Sequence, residues 1–423
     1  MNKKDKTTDR RDFLQSGLLG TAAAGLTIAS TTNVSAQAPP EALEPEVTND
    51  VDVLVVGGGT AGHVAAIQAA RAGAKTLLVE RGAQLGGAST TGGVSFPGLF
   101  DAWGKQVIAG IGWELVKECV ELDSGTLPNF AKVPQRHWQN QVLTNQFLYV
   151  LLAEEKCTDA GVEIAFHEFP HTVTKTENGW TVDCVGFGTN RRVNCKQIID
   201  CTGGAEVVGM LGFSRLREEE RQPGSYLFRL GNQHDPGRTR LHRLYVHGAD
   251  STNSRTVTVA NMTGRKTILD KLRKEKKRIT HLQPETGFRE SYRIEGETLI
   301  TVNDYRSGRV FDDAISYAFY PVDLHTKTGV KPQPLKRGTV PTIPLSALIP
   351  KGSKNIIVAG RCVSSDRLAN SGLRVQASCM GMGQAAGVAA ALAAKAGTTP
   401  LEVPLAEIHA LLKEHGHIIP KKV

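Results

Sequence analysis

Residues 51–80 restrict the fold more than any other stretch of the chain. Val51-Asp52-Val53-Leu54-Val55-Val56 is a short apolar run rich in β-branched residues and reads as a buried strand. It ends in Gly57-Gly58-Gly59-Thr60-Ala61-Gly62, and an alanine-rich helical segment runs from Ala61 to Ala72 with Gly73 as its stop. A second strand, Lys75 to Val79, leads into Glu80. Strand, G-x-G-x-x-G turn, helix, strand and acid in this order predict a dinucleotide-binding unit. Gly57 permits the tight turn, Gly59 lets backbone amides approach a pyrophosphate, and Gly62 lets the helix pack close to the strand. The helix start at Thr60 and Ala61 turns its partial positive charge toward phosphate, and Glu80 is set to accept hydrogen bonds from a ribose.

The residues after Glu80 separate one dinucleotide from another. Arg81-Gly82-Ala83-Gln84-Leu85-Gly86-Gly87-Ala88-Ser89-Thr90-Thr91-Gly92-Gly93 is a second glycine-rich loop, where a nicotinamide enzyme resumes regular strands and helices. Arg81, Gly86, Gly87, Ser89 and Thr90 offer further charge, amides and hydroxyls along a longer cofactor, which points to FAD. The forty-four glycines cluster in such runs, as expected of a nucleotide-binding α/β protein.

The net charge of +8 is local. Residues 265–278 hold eight Lys or Arg against Asp270 and Glu275, and residues 1–36 hold five against three acids. No aromatic residues alternate with these charges, so no nucleic-acid partner is expected. The seven cysteines are scattered without a C-x-x-C pair, which argues against a disulfide framework or a metal site. Unpaired cysteines suit folding in a reducing cytoplasm.

Arg10-Arg11, the mildly apolar Gly17–Ala29 stretch and Val34-Ser35-Ala36 resemble a bacterial twin-arginine (Tat) signal with cleavage after Ala36. The expectation is a signal peptide over 1–36, a linker over 37–50, and export to the periplasm by the Tat translocase after cofactor insertion.

Further stretches carry a wider resemblance. They are Ile198-Ile199-Asp200-Cys201-Thr202-Gly203-Gly204-Ala205, the run from Pro284 to Arg293, Phe311–Ala314, Tyr320–His325, and Asn355–Arg361 through Ser364–Arg367 to Leu373–Gly387. Together the chain resembles the FAD-dependent oxidoreductases of the glutathione-reductase-like, fumarate-reductase-related type. It departs from the family's strand-to-loop motif with Cys201 for Ala and Gly204 for Asp. The resemblance implies an α/β fold: a Rossmann-like FAD-binding domain with a central parallel sheet and β-meander, plus a smaller mixed α+β substrate (cap) domain. FAD would be held by 51–214 and 341–423, with 215–340 as the cap. The resemblance adds Thr202, Gly203, Gly360, Arg361 and Arg374 to the cofactor contacts. It sets Asp366 near the ribityl chain and a helix beginning near Ser378 against the flavin. Val142–Ala160 reads as a helix and Val162–Ile199 as short strands with an Asn178-Gly179 hairpin turn.

For chemistry, Arg289 and Arg293 are candidate anion clamps, and Asp323 with His325 a candidate acid–base pair. Tyr292 and Arg374 stand behind them, and His63 is expected to pack beside the cofactor. There is no second G-x-G-x-x-G unit for NAD(P)H, no C-x-x-x-x-C pair beside the first unit and no C-x-x-C-H haem motif. The expected reaction passes a hydride from a small alcohol, sugar or hydroxy acid to flavin N5, with a quinone, a redox protein or oxygen as final acceptor. Reduction of an activated double bond, and a flavin-binding protein whose cap has lost its chemistry, fit the same residues.

Overall fold

Apolar runs with no polar face become central strands covered on both sides. The computed structural model describes residues 45–231, 239–275 and 277–421. The twin-arginine segment and its cleavage site lie outside the described residues. In chain order the main elements begin with β1 (Val47–Val56), α1 (Gly62–Arg71), β2 (Thr76–Glu80), α2 (Ile111–Leu122) and α3 (Gln146–Asp159). Then come β3 (Glu163–Phe166), β4 (Phe169–Thr176), β5 (Gly179–Gly186) and β6 (Thr189–Asp200). They are followed by β7 (Gly224–Gly231), β8 (Thr239–Val246), α4 (Ser254–Glu275) and β9 (Arg278–Leu282). β10 (Ile356–Val358), α5 (Arg367–Leu373) and α6 (Gln376–Ala396) close the site.

The central sheet runs β3-β2-β1-β6, all parallel. Beside β1, β6 serves two further neighbours. Residues 189–195 pair antiparallel with β5, while Ile198–Asp200 pair parallel with β10. The long strand therefore joins the β4-β5 meander to the parallel sheet, which is the α/β architecture expected from the sequence. α6 is buried along nearly its whole length and crosses α1 at close range. A Cβ on Gly383 would come 2.2 Å from the Ala61 carbonyl oxygen, so any larger residue forces the two backbones apart at a cost of about 1–3 kcal/mol or more.

Some boundaries differ from the sequence expectation: β1 begins at Val47, inside the expected 37–50 linker, because Val47–Asp50 pair with Arg191–Asn194 of β6. α3 begins at Gln146, not Val142, because Asn145 caps it by accepting from the Phe147 amide at 3.0 Å. The β4–β5 turn is Glu177-Asn178, one residue early, since Thr176 pairs with Gly179. Gly179 is a strand residue packed against the Cys195 carbonyl, which a Cβ would approach to 2.1 Å.

A separate antiparallel sheet, β8-β7-β9, carries α4 on one side. Tyr226, Phe228, Leu230 and Val246 meet Ala260 and Ile268 of α4 in a small core. Arg265 Nε donates to the Tyr226 hydroxyl at 2.8 Å, which fixes the helix on the sheet.

Candidate active site

The C-terminal ends of β1, β2, β6 and β10 open into a cleft of about 990 Å³. In open parallel sheets ligands bind at such strand ends. Gly57, Gly59, Thr60 and Ala61 line the cleft, with Glu80 and Arg81 beside them. Gly62 does not reach it. Its place is structural, since a Cβ there would lie 1.8 Å from the Gly57 carbonyl oxygen. Gly59 has the opposite environment, with no atom within 4 Å of a Cβ position. This open backbone at the start of α1 leaves room for a pyrophosphate against the helix N-terminus.

Glu80 is fixed by two amides, Gly58 donating to Oε2 at 2.7 Å and Gly82 to Oε1 at 2.6 Å. Each oxygen keeps a lone pair for a ribose hydroxyl. The second glycine loop pairs with the first through a Gly59–Gly86 bridge, and the Gly86 amide donates to the Gly58 carbonyl at 2.9 Å. Gly87 reaches the cleft, whereas Gly86, Ser89 and Thr90 support the loop from behind. Ser89 donates to Gln376 Oε1 at 2.7 Å and Thr90 to the Leu85 carbonyl at 2.6 Å.

At the return strand, buried Asp200 accepts from the Thr202 amide and hydroxyl and from the Val208 amide. This fixes Thr202 and Gly203 at the cleft wall. Gly360 and Arg361 also line it, and Arg361 Nε donates to the Gly203 carbonyl at 2.7 Å. Two expectations are corrected here. Asp366 does not face the cleft: it caps α5, accepting from the Ala369 amide at 2.8 Å and from the Val302 amide. α6 begins at Gln376, so Val375 and Gln376 present its N-terminus, while Ser378 is buried in the helix. His63 is buried with both nitrogens used, Nδ1 on the Gly59 carbonyl at 2.8 Å and Nε2 on the Tyr149 hydroxyl at 3.1 Å. Burial pushes its pKa down to about 4, so it stays neutral.

The other end of the cleft is made of side chains from distant segments. Arg289 lines it, with Nη2 donating to Ser225 Oγ at 2.7 Å and Nη1 to the Pro223 carbonyl. Burial, with the Arg374 charge nearby, pushes Arg289 down to about 9. Arg374 donates from Nη2 to Gln222 Oε1 and the Asp323 carbonyl, both at 3.3 Å, and its buried Nε has no partner among the described residues. Among those residues neither guanidinium has a salt bridge. Arg293, the other proposed clamp, is instead tied to Glu218 at 2.6 Å and lies away from the cleft. Tyr292 is likewise committed, lying 4.0 Å beneath the Arg215 guanidinium.

Asp323 and His325 meet as expected, Oδ2 and Nε2 being 3.0 Å apart. Burial alone would raise Asp323, but the His325 hydrogen bond and the Arg374 and Arg289 charges hold it below its ordinary value. An ionised carboxylate only accepts, so Nε2 carries the imidazole proton. Nδ1, 3.1 Å from the Tyr245 hydroxyl, is then the acceptor. Burial lowers the His325 pKa, Asp323 opposes that shift, and Arg289 and Arg374 add to it. Gln222 binds the assembly together, its Oε1 accepting from the His325 amide at 2.9 Å and its Nε2 donating to Glu290 at 2.8 Å.

Sequence reading missed Tyr245, Arg243 and Gln222. Arg243 and Tyr245 share one face of β8 by strand alternation, a signal that was available. Nothing local marks Gln222.

The residues fit FAD: an open amide cradle at Gly59, an anchored acid at Glu80, and a cleft wall holding the Thr286 hydroxyl, which has no partner among the described residues. A parallel sheet with this turn and acid at its strand ends defines a Rossmann-type FAD-binding flavoprotein. More particularly, the chain belongs to the FAD dependent oxidoreductase family, which it matches over residues 52–274 and 258–412. Similarity to curated proteins is confined to short stretches. The chain is 58% identical over 40 residues to mitochondrial dihydrolipoyl dehydrogenase of Caenorhabditis elegans, covering 10% of this chain and 8% of that one. It is 41% identical over 86 residues to pseudooxynicotine dehydrogenase of a Pseudomonas species, covering 19% and 17%. The chain thus spans less than a fifth of either relative. Among solved structures, a geranylgeranyl bacteriochlorophyll reductase-like protein of Thermoplasma acidophilum is 14% identical with a TM-score of 0.43, covering 87% of this chain and 84% of that one.

Proposed function

We propose that this FAD-dependent oxidoreductase dehydrogenates a small hydroxy acid. The carrying observation is the pair Arg289 and Arg374, two half-buried guanidinium groups without a carboxylate salt bridge among the described residues, beside the Asp323–His325 pair in one cleft. Two guanidinium charges share the single nearby carboxylate of Asp323, so a substrate carboxylate supplies the second counter-charge, and the guanidinium fork orients it. The positive cluster favours a hydroxy acid over the alcohols and sugars that the same fold accommodates.

Bound FAD supplies the two-electron acceptor for the hydride leaving the carbinol carbon. The hydroxyl proton leaves to the protein. His325, which lines the cleft with Nδ1 as its basic nitrogen beside the Tyr245 hydroxyl, takes that proton, and the ionised Asp323 stabilises the imidazolium that forms. Arg289 and Arg374 hold the carboxylate throughout. Tyr320, whose hydroxyl accepts from Gln141 at 3.0 Å, closes the wall beside them. In this reading residues 215–340 act as the substrate domain, and a quinone, a redox protein or oxygen removes the electrons. The reading also has the protein exported folded, with its flavin, by the twin-arginine route, which the Arg10-Arg11 segment supports.

Anaerobic rapid mixing with a panel of hydroxy acids, sugars and alcohols of matched skeleton tests the substrate class. Bleaching of the flavin absorbance by hydroxy acids, and not by the matched neutral alcohols, is expected. Equal bleaching by acid and alcohol would remove the role given to the arginines.

A further inference from the structure

α4 presents a stripe that the chemistry of the cleft does not use. Its inner face, Ala260, Gly264 and Ile268, is buried on the β7–β8 sheet. Arg255, Val259, Met262, Lys266, Leu269 and Arg273 follow one another in alternating four- and three-residue steps. At ~100° per residue this spacing keeps all six on one line, directly opposite the buried face and roughly 27 Å long. The three apolar members are 64%, 61% and 47% exposed, in that order.

The surrounding charge is strongly positive. Residues 255–278 hold nine Lys or Arg against Asp270 and Glu275. Asp270 pairs with Lys266 and Arg273, and Glu275 with Lys271 and Lys277, so two acids face a much larger basic set. A second copy of the chain docking through this stripe would oppose like charges. A nucleic-acid backbone matches the charge but has no use for Val259, Met262 and Leu269. A surface combining anionic headgroups with an accessible acyl boundary takes both components.

We infer that the outer face of α4 docks the protein on an anionic phospholipid membrane, with Arg255, Lys266 and Arg273 on headgroups and Val259, Met262 and Leu269 at the acyl boundary. The test is sedimentation of the full chain with vesicles of phosphatidylcholine alone or mixed with phosphatidylglycerol. Two variants are compared, Lys266→Glu/Arg273→Glu and Val259→Ser/Met262→Ser/Leu269→Ser. Both alter exposed positions, and unchanged flavin absorbance and melting temperature check that they fold. The wild-type chain is expected to bind the anionic vesicles at least about tenfold tighter than the neutral ones, and the charge variant to lose most of that preference. The apolar variant should bind anionic vesicles about threefold or more weakly. Residues 1–43 are common to all three proteins, so the differences report α4. Wild-type binding without a preference for anionic vesicles, or undiminished binding by the charge variant, overturns the assignment. So does a chain that ignores vesicles but binds duplex DNA in an α4-dependent way, since the face then belongs to a nucleic acid.

Discussion

The two ends of the cleft are built from different materials. At the cofactor end, backbone does the binding: the Gly57–Gly62 turn, the second glycine loop and the Thr202-Gly203 return, with Glu80 held by two amides. At the substrate end, side chains from five separate segments converge: Gln222, Arg243 with Tyr245, Arg289, Asp323 with His325, and Arg374. A backbone site cannot be altered without altering the fold, because the conformation that binds is also the one that packs. A side-chain site on a rigid scaffold can lose one group and keep its frame. Substitutions at the first end should therefore act through cofactor retention and stability, and those at the second through rate and pH.

The largest effect is expected at Gly62. Gly62→Val drives a side chain into the Gly57 carbonyl, and overpacking of at least about 3 kcal/mol is expected to abolish soluble, flavin-loaded protein. Flavin absorbance per chain and the far-ultraviolet circular dichroism spectrum measure this, and a fully loaded variant would refute the close-packing argument. Next in size, Arg289→Met or Arg374→Met removes charge-assisted hydrogen bonds to a substrate carboxylate, each about 1.5–3 kcal/mol. kcat/KM for a hydroxy acid should fall roughly 10- to 150-fold while flavin content is unchanged. A loss confined to flavin content would put these arginines at the wrong end.

Glu80→Ala should weaken FAD binding about tenfold or more, since the Gly58 and Gly82 amides and the ribose lose their acceptor. Titration of apoprotein with FAD reads this directly, with kcat of the fully loaded variant little changed. The smallest effect is a displacement of the pH profile. His325 works as a neutral base, so kcat/KM rises with pH through its pKa, which burial sets below the ordinary 6.5. Asp323 favours the charged imidazole, so Asp323→Asn should move the acidic limb to lower pH. Arg289 disfavours it, so Arg289→Met should move the limb to higher pH. Each move should be about one unit or less, and shifts in the same direction would separate the limb from His325.

The same contrast explains what could be read from the chain. Gly57, Gly59 and Glu80 announce themselves because a backbone cradle requires particular residues at fixed local spacing. Asp200 lies in the strand-to-loop motif with no role legible in the sequence, and only the turn geometry gives it one. The resemblance sets Asp366 beside the cofactor, yet its carboxylate is consumed in capping α5 and holding Val302. Arg289 and Arg293 look alike in sequence. A part-buried ion pair with Glu218 claims Arg293 and leaves Arg289 to the cleft. Tyr245 and Gln222 reach His325 only because β8 and the segment before β7 pass over it, a long-range contact that carries no local signal.

The account rests on FAD bound in the cradle at the ends of β1 and β2, and an absorbance spectrum of the purified chain tests that most directly. Bands near ~370 and ~450 nm, present in the wild type and restored to apoprotein by added FAD but not in Glu80→Ala at the same FAD concentration, are the predicted result. A colourless chain that takes up no FAD, or one that takes it up equally well without the Glu80 carboxylate, would contradict it.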